Sequence, residues 1–269
     1  MSTVIENVGS AQAQGALWSE RARDWSIFQE RTALPLYEAA LTRLRIGPGT
    51  RLLDVGCGSG MFCQMASQRG ATVVGIDAAP ALVDIAKQRV PYGRFRVGEM
   101  EALPFDADAF DIVTGFNAFQ YAAHPVQALA EAGRVVRRNG SVLVTTWGPV
   151  ELCEAQAYMS AVVSVLPPAP AGRPGPFALS NERALRAFAR EGFLTPGDMA
   201  DVNVPFVYAD LDSALRGILS AGPAAAAIHE AGEGRLRDIV TAALRPYRLS
   251  NGGVRLENRF RYVVATKTV

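Results

Sequence analysis

The chain has 269 residues, of which 49% are hydrophobic and 20% are charged. A chain of this size can bury one large core, so we expect a single α/β unit with an insertion. Its 27 basic and 26 acidic residues are spread along the sequence and give a net charge of +1, without the basic runs that follow a phosphate backbone. This charge distribution argues against a nucleic-acid substrate.

The sequence carries no feature that predicts export, membrane insertion or metal binding. Its start lacks the basic and apolar regions of a secretory signal, and no run of about 18 apolar residues occurs. The three cysteines, at positions 57, 63 and 153, form no Cys-x-x-Cys pair, so we expect neither a disulfide framework nor a zinc site. We therefore predict a cytoplasmic protein that binds no metal and no membrane.

Two helices are predicted before the first strand. Apolar residues recur at helical spacing from Trp18 to Phe28 and again from Leu36 to Leu44, ahead of a Gly-Pro-Gly turn. We expect residues 1–45 to form a helical lid.

Between residues 46 and 148, strand-like and helix-like segments alternate, which predicts a parallel sheet with helices on both faces. The expected strands are Arg51–Val55, Thr72–Asp77, Arg94–Gly98, Ile112–Gly115 and Ser141–Thr146. The expected helices are Phe62–Gln68, Ala81–Arg89 and Pro125–Arg137, the last ended by Asn139-Gly140.

After residue 148 the pattern becomes mainly helical. Helices over Glu151–Leu166 and from a Ser180 cap to Arg190, around the proline-rich stretch 167–176, predict an insertion over 149–200 that caps the substrate site.

Residues 201–269 are expected to complete the sheet with strands Val202–Tyr208 and Arg255–Thr266, the second antiparallel, and with helices near Ser213–Leu219 and Arg235–Leu244. The predicted fold is a Rossmann-like, doubly wound, mostly parallel seven-stranded sheet with an antiparallel last strand and a helical lid and insertion.

The first predicted strand leads directly into a glycine-rich turn, Leu-Leu-Asp-Val-Gly-Cys-Gly-Ser-Gly at residues 52–60. Gly56, Gly58 and Gly60 allow a sharp turn and a close approach of a ligand to the backbone. The nicotinamide and flavin fingerprint requires Gly-x-Gly-x-x-Gly, whereas here the third glycine comes one residue early. Asp54, just before the turn, suits a cationic amino acid moiety better than a pyrophosphate.

Asp77 ends the second predicted strand, roughly twenty residues after the first glycine. An acidic side chain at this place can accept hydrogen bonds from both hydroxyls of a ribose. The alternative is that Asp77 caps the helix that begins near Pro80.

Three stretches, Leu-Leu-Asp-Val-Gly-Cys-Gly-Ser-Gly, Val-Gly-Ile-Asp and Arg-Val-Val-Arg-Arg-Asn-Gly-Ser, together resemble class I S-adenosylmethionine-dependent methyltransferases. The resemblance covers roughly residues 17–147. It is strongest to small-molecule methyltransferases, in which Gly-Asp-Ala-Glu-Ala-Leu-Pro-Phe follows the third strand, and this chain has Gly-Glu-Met-Glu-Ala-Leu-Pro-Phe at residues 98–105. The resemblance implies S-adenosylmethionine as cofactor.

The resemblance also implies a set of cofactor contacts. It assigns Glu99 to the adenine amino group and Met100 to the adenine ring, although Glu99 is one methylene longer than the aspartate common in the family. The other expected cofactor residues are Ala78 and Leu82 beside the adenine, Glu101 in the same stretch, Asp77, and the turn residues Asp54, Gly56, Cys57, Gly58 and Gly60, with Cys57 as a small filler.

Residues 115–121, Gly-Phe-Asn-Ala-Phe-Gln-Tyr, follow the fourth strand at the edge where open α/β sheets bind ligands. They lack the Asn/Asp-Pro-Pro-aromatic motif of enzymes that methylate amide or base nitrogens, so the resemblance points to a small acceptor. Asn117 and Gln120 are the candidate catalytic residues, as polar contacts to the acceptor or to the methionine moiety. The alternative is that both side chains stabilise their own loop.

Aromatic faces stabilise a sulfonium by roughly 0.5 to 2 kcal/mol. Trp25 and Phe116 are therefore candidate cofactor contacts, and Trp18, Tyr121 and Trp147 are candidate acceptor contacts. The alternative for each is packing in the core.

We therefore predict a methyltransferase that moves a methyl group to an oxygen, nitrogen or carbon of a small organic acceptor by in-line displacement. His124, just before a helix, and His229, after an alanine-rich run, are not expected to act as its base. Two alternatives stay open, a non-catalytic protein of the same fold that binds a ligand or partner, and a dinucleotide-dependent oxidoreductase. The sequence predicts no oligomeric state.

Overall fold

The computed structural model describes residues 9–168 and 175–268, and a seven-stranded sheet forms its centre. In chain order the strands are β1 Arg51–Val55, β2 Thr72–Asp77, β3 Arg94–Val97, β4 Phe110–Phe116, β5 Val136–Trp147, β6 Thr195–Asn203, β7 Phe206–Tyr208, β8 Val254–Leu256 and β9 Arg259–Thr266. The large sheet has the order β3-β2-β1-β4-β5-β9-β6, and β7 pairs with β8 in a separate small sheet. The first five strands are parallel, whereas β9 runs antiparallel to both of its neighbours, so the predicted fold class is confirmed.

Helices cover both faces of this sheet. They are α1 Ala11–Ser19, α2 Ala22–Asp24, α3 Leu34–Arg43, α4 Met61–Gln68, α5 Pro80–Arg89, α6 Pro125–Val135, α7 Gln156–Val163, α8 Glu182–Glu191, α9 Leu211–Leu219, α10 Gly222–Ala231 and α11 Glu233–Leu244. Successive residues of a strand point to opposite faces, so Leu52 packs in one apolar core, with α3 and α4, and Leu53 in the other, with α6 and α8. Among the residues that the structure describes, no helix is both long and apolar enough to cross a bilayer.

The helix predicted over 125–137 is too long by two residues. α6 ends at Val135, and β5 begins at the next residue. Asn139 has φ +58° and donates its backbone N–H to the carbonyl of Lys267, 2.8 Å away. The pairing of β4 with β5 shifts register at this point, so Asn139-Gly140 is a bulge in a strand and not the end of a helix.

The two strands predicted in the tail are each divided between two sheets. Val202–Tyr208 splits into the end of β6 and β7, and Arg255–Thr266 splits into β8 and β9. Asn258, only 3% exposed, lies at the second break, where its carbonyl accepts the N–H of Val204 at 2.8 Å. Both predicted strands are therefore interrupted at the same place, where the chain passes between the large sheet and the small one.

Part of the predicted insertion, residues 149–200, has a different structure from the one expected. In place of one helix over 151–166 there is a 3₁₀ turn, Val150–Leu152, followed by α7. Helix α8 is capped by Asn181, not Ser180, and it packs beside the sheet against α6 and β6. Residues 195–200, expected in the cap, belong to β6, and residues 1–8 of the expected lid and 169–174 of the proline-rich stretch lie outside the described residues.

Candidate active site

Two adjoining cavities open at the carboxyl ends of the parallel strands, the edge at which open α/β sheets bind ligands. The smaller, of about 110 Å³, is lined by residues that follow each of the first four strands. The larger, of about 280 Å³, lies between the sheet edge and helices α3, α7, α9 and α10. The two share a wall formed by Trp18, Trp25, Phe116, Asn117 and Tyr121.

The glycine turn forms one side of the smaller cavity. Gly56 and Gly58 have φ of +71° and +54°, a left-handed region that side chains other than glycine rarely adopt. A Cβ on Gly56 would lie 2.6 Å from the Cβ of Ala118, and one on Gly58 would lie 3.0 Å from Oε1 of Glu30. The turn therefore lies against the loop after β4 on one side and the N-terminal segment on the other, with its backbone facing the cavity.

Asp77 lies where the sequence predicted, in the wall of the smaller cavity. Its Oδ2 accepts the N–H of Gly58 at 2.8 Å and its Oδ1 accepts that of Ala79 at 2.9 Å. Burial raises the pKa of Asp77, while these backbone N–H groups oppose the increase. Because a carboxylate offers about four acceptor positions, both oxygens can still accept hydroxyl groups of a ribose.

Glu99 also lines the smaller cavity, together with Met100, Ala78 and Leu82. Its Oε2 accepts the N–H of Ala11, in the first turn of α1, at 2.7 Å. The methylene that distinguishes glutamate from aspartate thus lets one carboxylate reach the lid while it faces the cleft.

Asp54 and Glu101, two predicted cofactor residues, do not line either cavity. Asp54 is 2% exposed and accepts a hydrogen bond of 2.7 Å from Oγ1 of Thr114. Burial raises the pKa of Asp54 to about 7. Glu101 is 4% exposed and accepts the N–H of Ala123 at 2.7 Å. Asp54 therefore binds side chains of β4 and α4 behind the cavity wall, whereas Glu101 binds backbone N–H groups there.

Cys57 and Gly60 are likewise outside the cavity lining. The thiol of Cys57 packs against Gly75 of β2, in agreement with a filler role. A Cβ on Gly60 would lie 2.8 Å from the Cβ of Ala86, so this glycine permits close packing of α5 and not ligand approach.

Asn117 lies in the shared wall and Gln120 lines the larger cavity. Nε2 of Gln120 donates a short hydrogen bond to Oδ1 of Asn117. Asn117 has φ +52°, and its backbone N–H donates to Oγ1 of Thr145 at 3.0 Å. The structure therefore contains the loop-stabilising bond expected under the alternative interpretation, at a place where both side chains also face the ligand space.

Several cavity residues were missed by the sequence analysis. Trp147 was expected in the larger cavity and lies there, but its neighbours Phe206 and Phe260, and the tyrosines Tyr37 and Tyr158, were not predicted. The alternating pattern around Phe260 indicated a strand, and no local signal showed that its face would turn towards the cap.

Glu30 is a further unpredicted residue of the larger cavity. It is 3% exposed, it forms an ion pair with Arg89, and Oε1 accepts the N–H of Ser59 at 3.0 Å. Burial raises the pKa of Glu30, and the nearby charge of Arg89 opposes the increase. This carboxylate thereby fastens the N-terminal segment to the glycine turn.

The shared wall contains a buried polar group that bonds to none of the described residues. This is the indole Nε1 of Trp25, which would lie 3.5 Å from a Cβ on Gly58. A buried donor of this kind normally bonds to protein, water or ligand. It is therefore available to a ligand lying on the glycine turn.

Comparisons with known proteins place the turn and the following strands in a recognised family. Residues 53–144 match a family model described as a methyltransferase domain. A ubiquinone biosynthesis O-methyltransferase from Paracidovorax citrulli is 31% identical over 177 residues, which cover 61% of this chain and 71% of that protein. A malonyl-[acyl-carrier protein] O-methyltransferase from Serratia marcescens is 38% identical over 99 residues, but these cover only 37% of this chain and 39% of that enzyme.

Solved structures share the whole fold at low sequence identity. A Haloferax volcanii putative methyltransferase, solved with the activator Trm112, superposes with a TM-score of 0.60 at 18% identity over 94% of this chain and 96% of that one. The YcgJ protein of Bacillus subtilis gives a TM-score of 0.59 at 20% identity, over 87% of this chain and 98% of that one.

Proposed function

Because the chain belongs to the class I S-adenosylmethionine-dependent methyltransferases, we propose that it methylates a small organic acceptor bound in the larger of its two cavities. Family membership decides against the oxidoreductase alternative. The observation that carries the proposal is the shared wall, since it brings a cleft lined by the expected cofactor residues and a separate, mostly apolar cavity to one boundary.

The residues of the smaller cavity fit the cofactor. Asp77 would accept the ribose hydroxyls and Glu99 the adenine amino group, because both carboxylates line the cleft and retain acceptor capacity. The backbone of Gly56 and Gly58 would receive the methionine moiety, and the unpartnered indole N–H of Trp25 would donate to it.

When bound, the cofactor would supply an electrophilic methyl group, carried on a sulfonium, for transfer to an electron-rich atom of the acceptor. The protein aligns the two partners, which can supply up to about 7 to 11 kcal/mol of the barrier reduction. The rings of Trp18, Trp25, Phe116 and Tyr121 would surround this reaction boundary.

No free base faces the larger cavity in the part of its lining that the structure describes. Neither histidine lines it, and the carboxylate of Glu30 is already bonded to Ser59 and Arg89. We therefore propose that the protein orients its acceptor and does not deprotonate it.

The proposed setting is the cytoplasm and the proposed acceptor a diffusible molecule, not a nucleic acid. The three cysteines are free and buried, as suits a reducing compartment, and the net charge is +1.

The test is methyl transfer from labelled S-adenosylmethionine to a metabolite extract, with binding of the cofactor measured by calorimetry. We expect label in one or a few small-molecule fractions. Cofactor binding without transfer to any fraction, over varied extracts, would contradict a catalytic role.

Asp77→Ala should weaken cofactor binding by about 1.5 to 3 kcal/mol, because the ribose loses a charged acceptor. Asp84→Ala is the matched control, since Asp84 is an exposed residue on α5 whose side chain forms an ion pair with Lys87. Equal affinity of the two variants in calorimetry would rule out the ribose assignment.

A further inference from the structure

We infer that the acceptor is an aromatic molecule of about two rings that carries hydroxyl or carbonyl oxygens and no phosphate, carboxylate or ammonium group. The inference rests on the proposed function, and it concerns the larger cavity alone.

The size of the cavity sets the size of its occupant. Its volume is about 280 Å³. An apolar cavity of about 150 Å³ holds one benzene ring, so this space accommodates roughly two rings.

Nine of the 25 described residues that line the cavity are aromatic. The rings of Trp147 and Phe260 have centroids 4.4 Å apart, and Phe206 lies 5.9 Å from Trp147 and 6.3 Å from Phe260. Tyr37 and Phe116 form a T-shaped pair at 4.8 Å in the same lining. Such faces favour stacked or edge-on contacts with a planar ring.

Two hydroxyl groups lack partners in this apolar setting. Tyr121 and Tyr158 line the cavity, and within residues 9–168 and 175–268 neither hydroxyl makes a hydrogen bond. Burial raises the pKa of Tyr121 to about 12 and raises that of Tyr158 further, so both stay protonated and can donate. Both hydroxyls are donors in the lining, so an oxygen of a ligand in the cavity can accept a hydrogen bond from each.

Among residues 9–168 and 175–268, the charges of the lining disfavour an ionic head group. No lysine or arginine lines the cavity among the residues described, and its single carboxylate, Glu30, is held by Arg89 and Ser59. A phosphate or carboxylate would be buried without a cation, and an ammonium group would have to displace Arg89, both at a large desolvation penalty. Uncharged oxygens meet the two tyrosine donors without either penalty.

The experiment measures binding of three probes of equal ring size, 2-naphthol, naphthalene and 2-naphthyl phosphate, by calorimetry on the full chain saturated with S-adenosylhomocysteine. We expect 2-naphthol to bind tightest and 2-naphthyl phosphate weakest.

Tyr158→Phe should weaken the binding of 2-naphthol about two- to tenfold, the effect of one hydrogen bond, and leave the binding of naphthalene unchanged. Tyr158 is chosen because it lines only the larger cavity, and Tyr92→Phe, at a position 98% exposed, is the control.

Naphthalene binding as tightly as 2-naphthol, the phosphate binding tightest, an equal effect of Tyr158→Phe on 2-naphthol and naphthalene, or no binding of any probe would each overturn the inference. These results are separable from failure of the proposed function, which would appear as absent binding of S-adenosylhomocysteine before any probe is added.

Discussion

Single residues in this protein divide into those that face the ligand space and those that support it. Asp77 and Glu99 do both, because each lines the cleft and accepts a backbone N–H from a neighbouring segment. Asp54 only supports, since it is buried beneath the glycine turn and bonded to Thr114. The motif identified these carboxylates along the chain. It did not distinguish a carboxylate that lines the cleft from one that is buried behind its wall.

The raised pKa of Asp54, about 7 against an ordinary 3.8, predicts a pH-dependent stability. Between about pH 4 and 7 the folded state holds a proton that the unfolded chain has released. The contribution of Asp54 to the free energy of unfolding is therefore full below pH 4 and is lost as the pH rises through 7. The loss is at most about 4 kcal/mol.

Asp54→Asn removes this titration. In urea unfolding, we expect the free energy of unfolding of the variant to decrease less between pH 5 and 8 than that of the natural chain. Asp84→Asn, at an exposed site, should keep the natural slope. Parallel pH curves for Asp54→Asn and the natural chain would show that Asp54 titrates in its ordinary range.

At the scale of elements, helix α1 is attached to the smaller cavity through its first turn. Ala11 donates to Oε2 of Glu99, and Ser10 donates to Oε1 of Glu101 at 3.3 Å. The same helix carries Trp18 into the wall shared by the two cavities. The helix predicted from Trp18 to Phe28 begins too late, because α1 is Ala11–Ser19 and a π-helical turn follows over Trp25–Gln29. The contacts that order α1 come from residues about 90 positions away and leave no local pattern.

Glu99→Asp should loosen α1 without removing the acidic group from the cleft. The shorter side chain cannot span to Ala11, so we expect hydrogen exchange of the α1 amides to rise about tenfold, while affinity for S-adenosylhomocysteine changes little. Glu151→Asp, at an exposed site, is the control. Unchanged exchange in α1 would show that another contact holds the lid.

For the molecule as a whole, Asn258 joins the cap, the small sheet and the large sheet. Its Oδ1 accepts the N–H of Ala155 at 2.9 Å, just before α7, and its Nδ2 donates to the carbonyl of Leu256 in β8 at 3.2 Å. The residue lies directly before β9 of the large sheet. Asn258 thus links the start of α7 to both sheets, beside the backbone bond of 2.9 Å from the N–H of Glu154 to the carbonyl of Glu257.

Asn258→Ala leaves the N–H of Ala155 buried and unpaired, which should lower the free energy of unfolding by about 1 to 3 kcal/mol. Asn251→Ala, which removes a similar bond in an exposed turn, should have a smaller effect. Denaturant unfolding measures both, and equal losses would argue against a special role of Asn258.

The sequence by itself determined the parallel half of the sheet and the glycine turn, because strand period and turn chemistry are local properties of the chain. Its resemblance to class I methyltransferases added the cofactor and the expected role of Glu99. Only the tertiary structure decided the larger cavity. Tyr37, Trp147, Tyr158, Phe206 and Phe260 come from separate elements, and their meeting depends on where β6 and β9 leave the large sheet. Long-range packing determines where these strands leave the sheet, and no local sequence pattern predicts it.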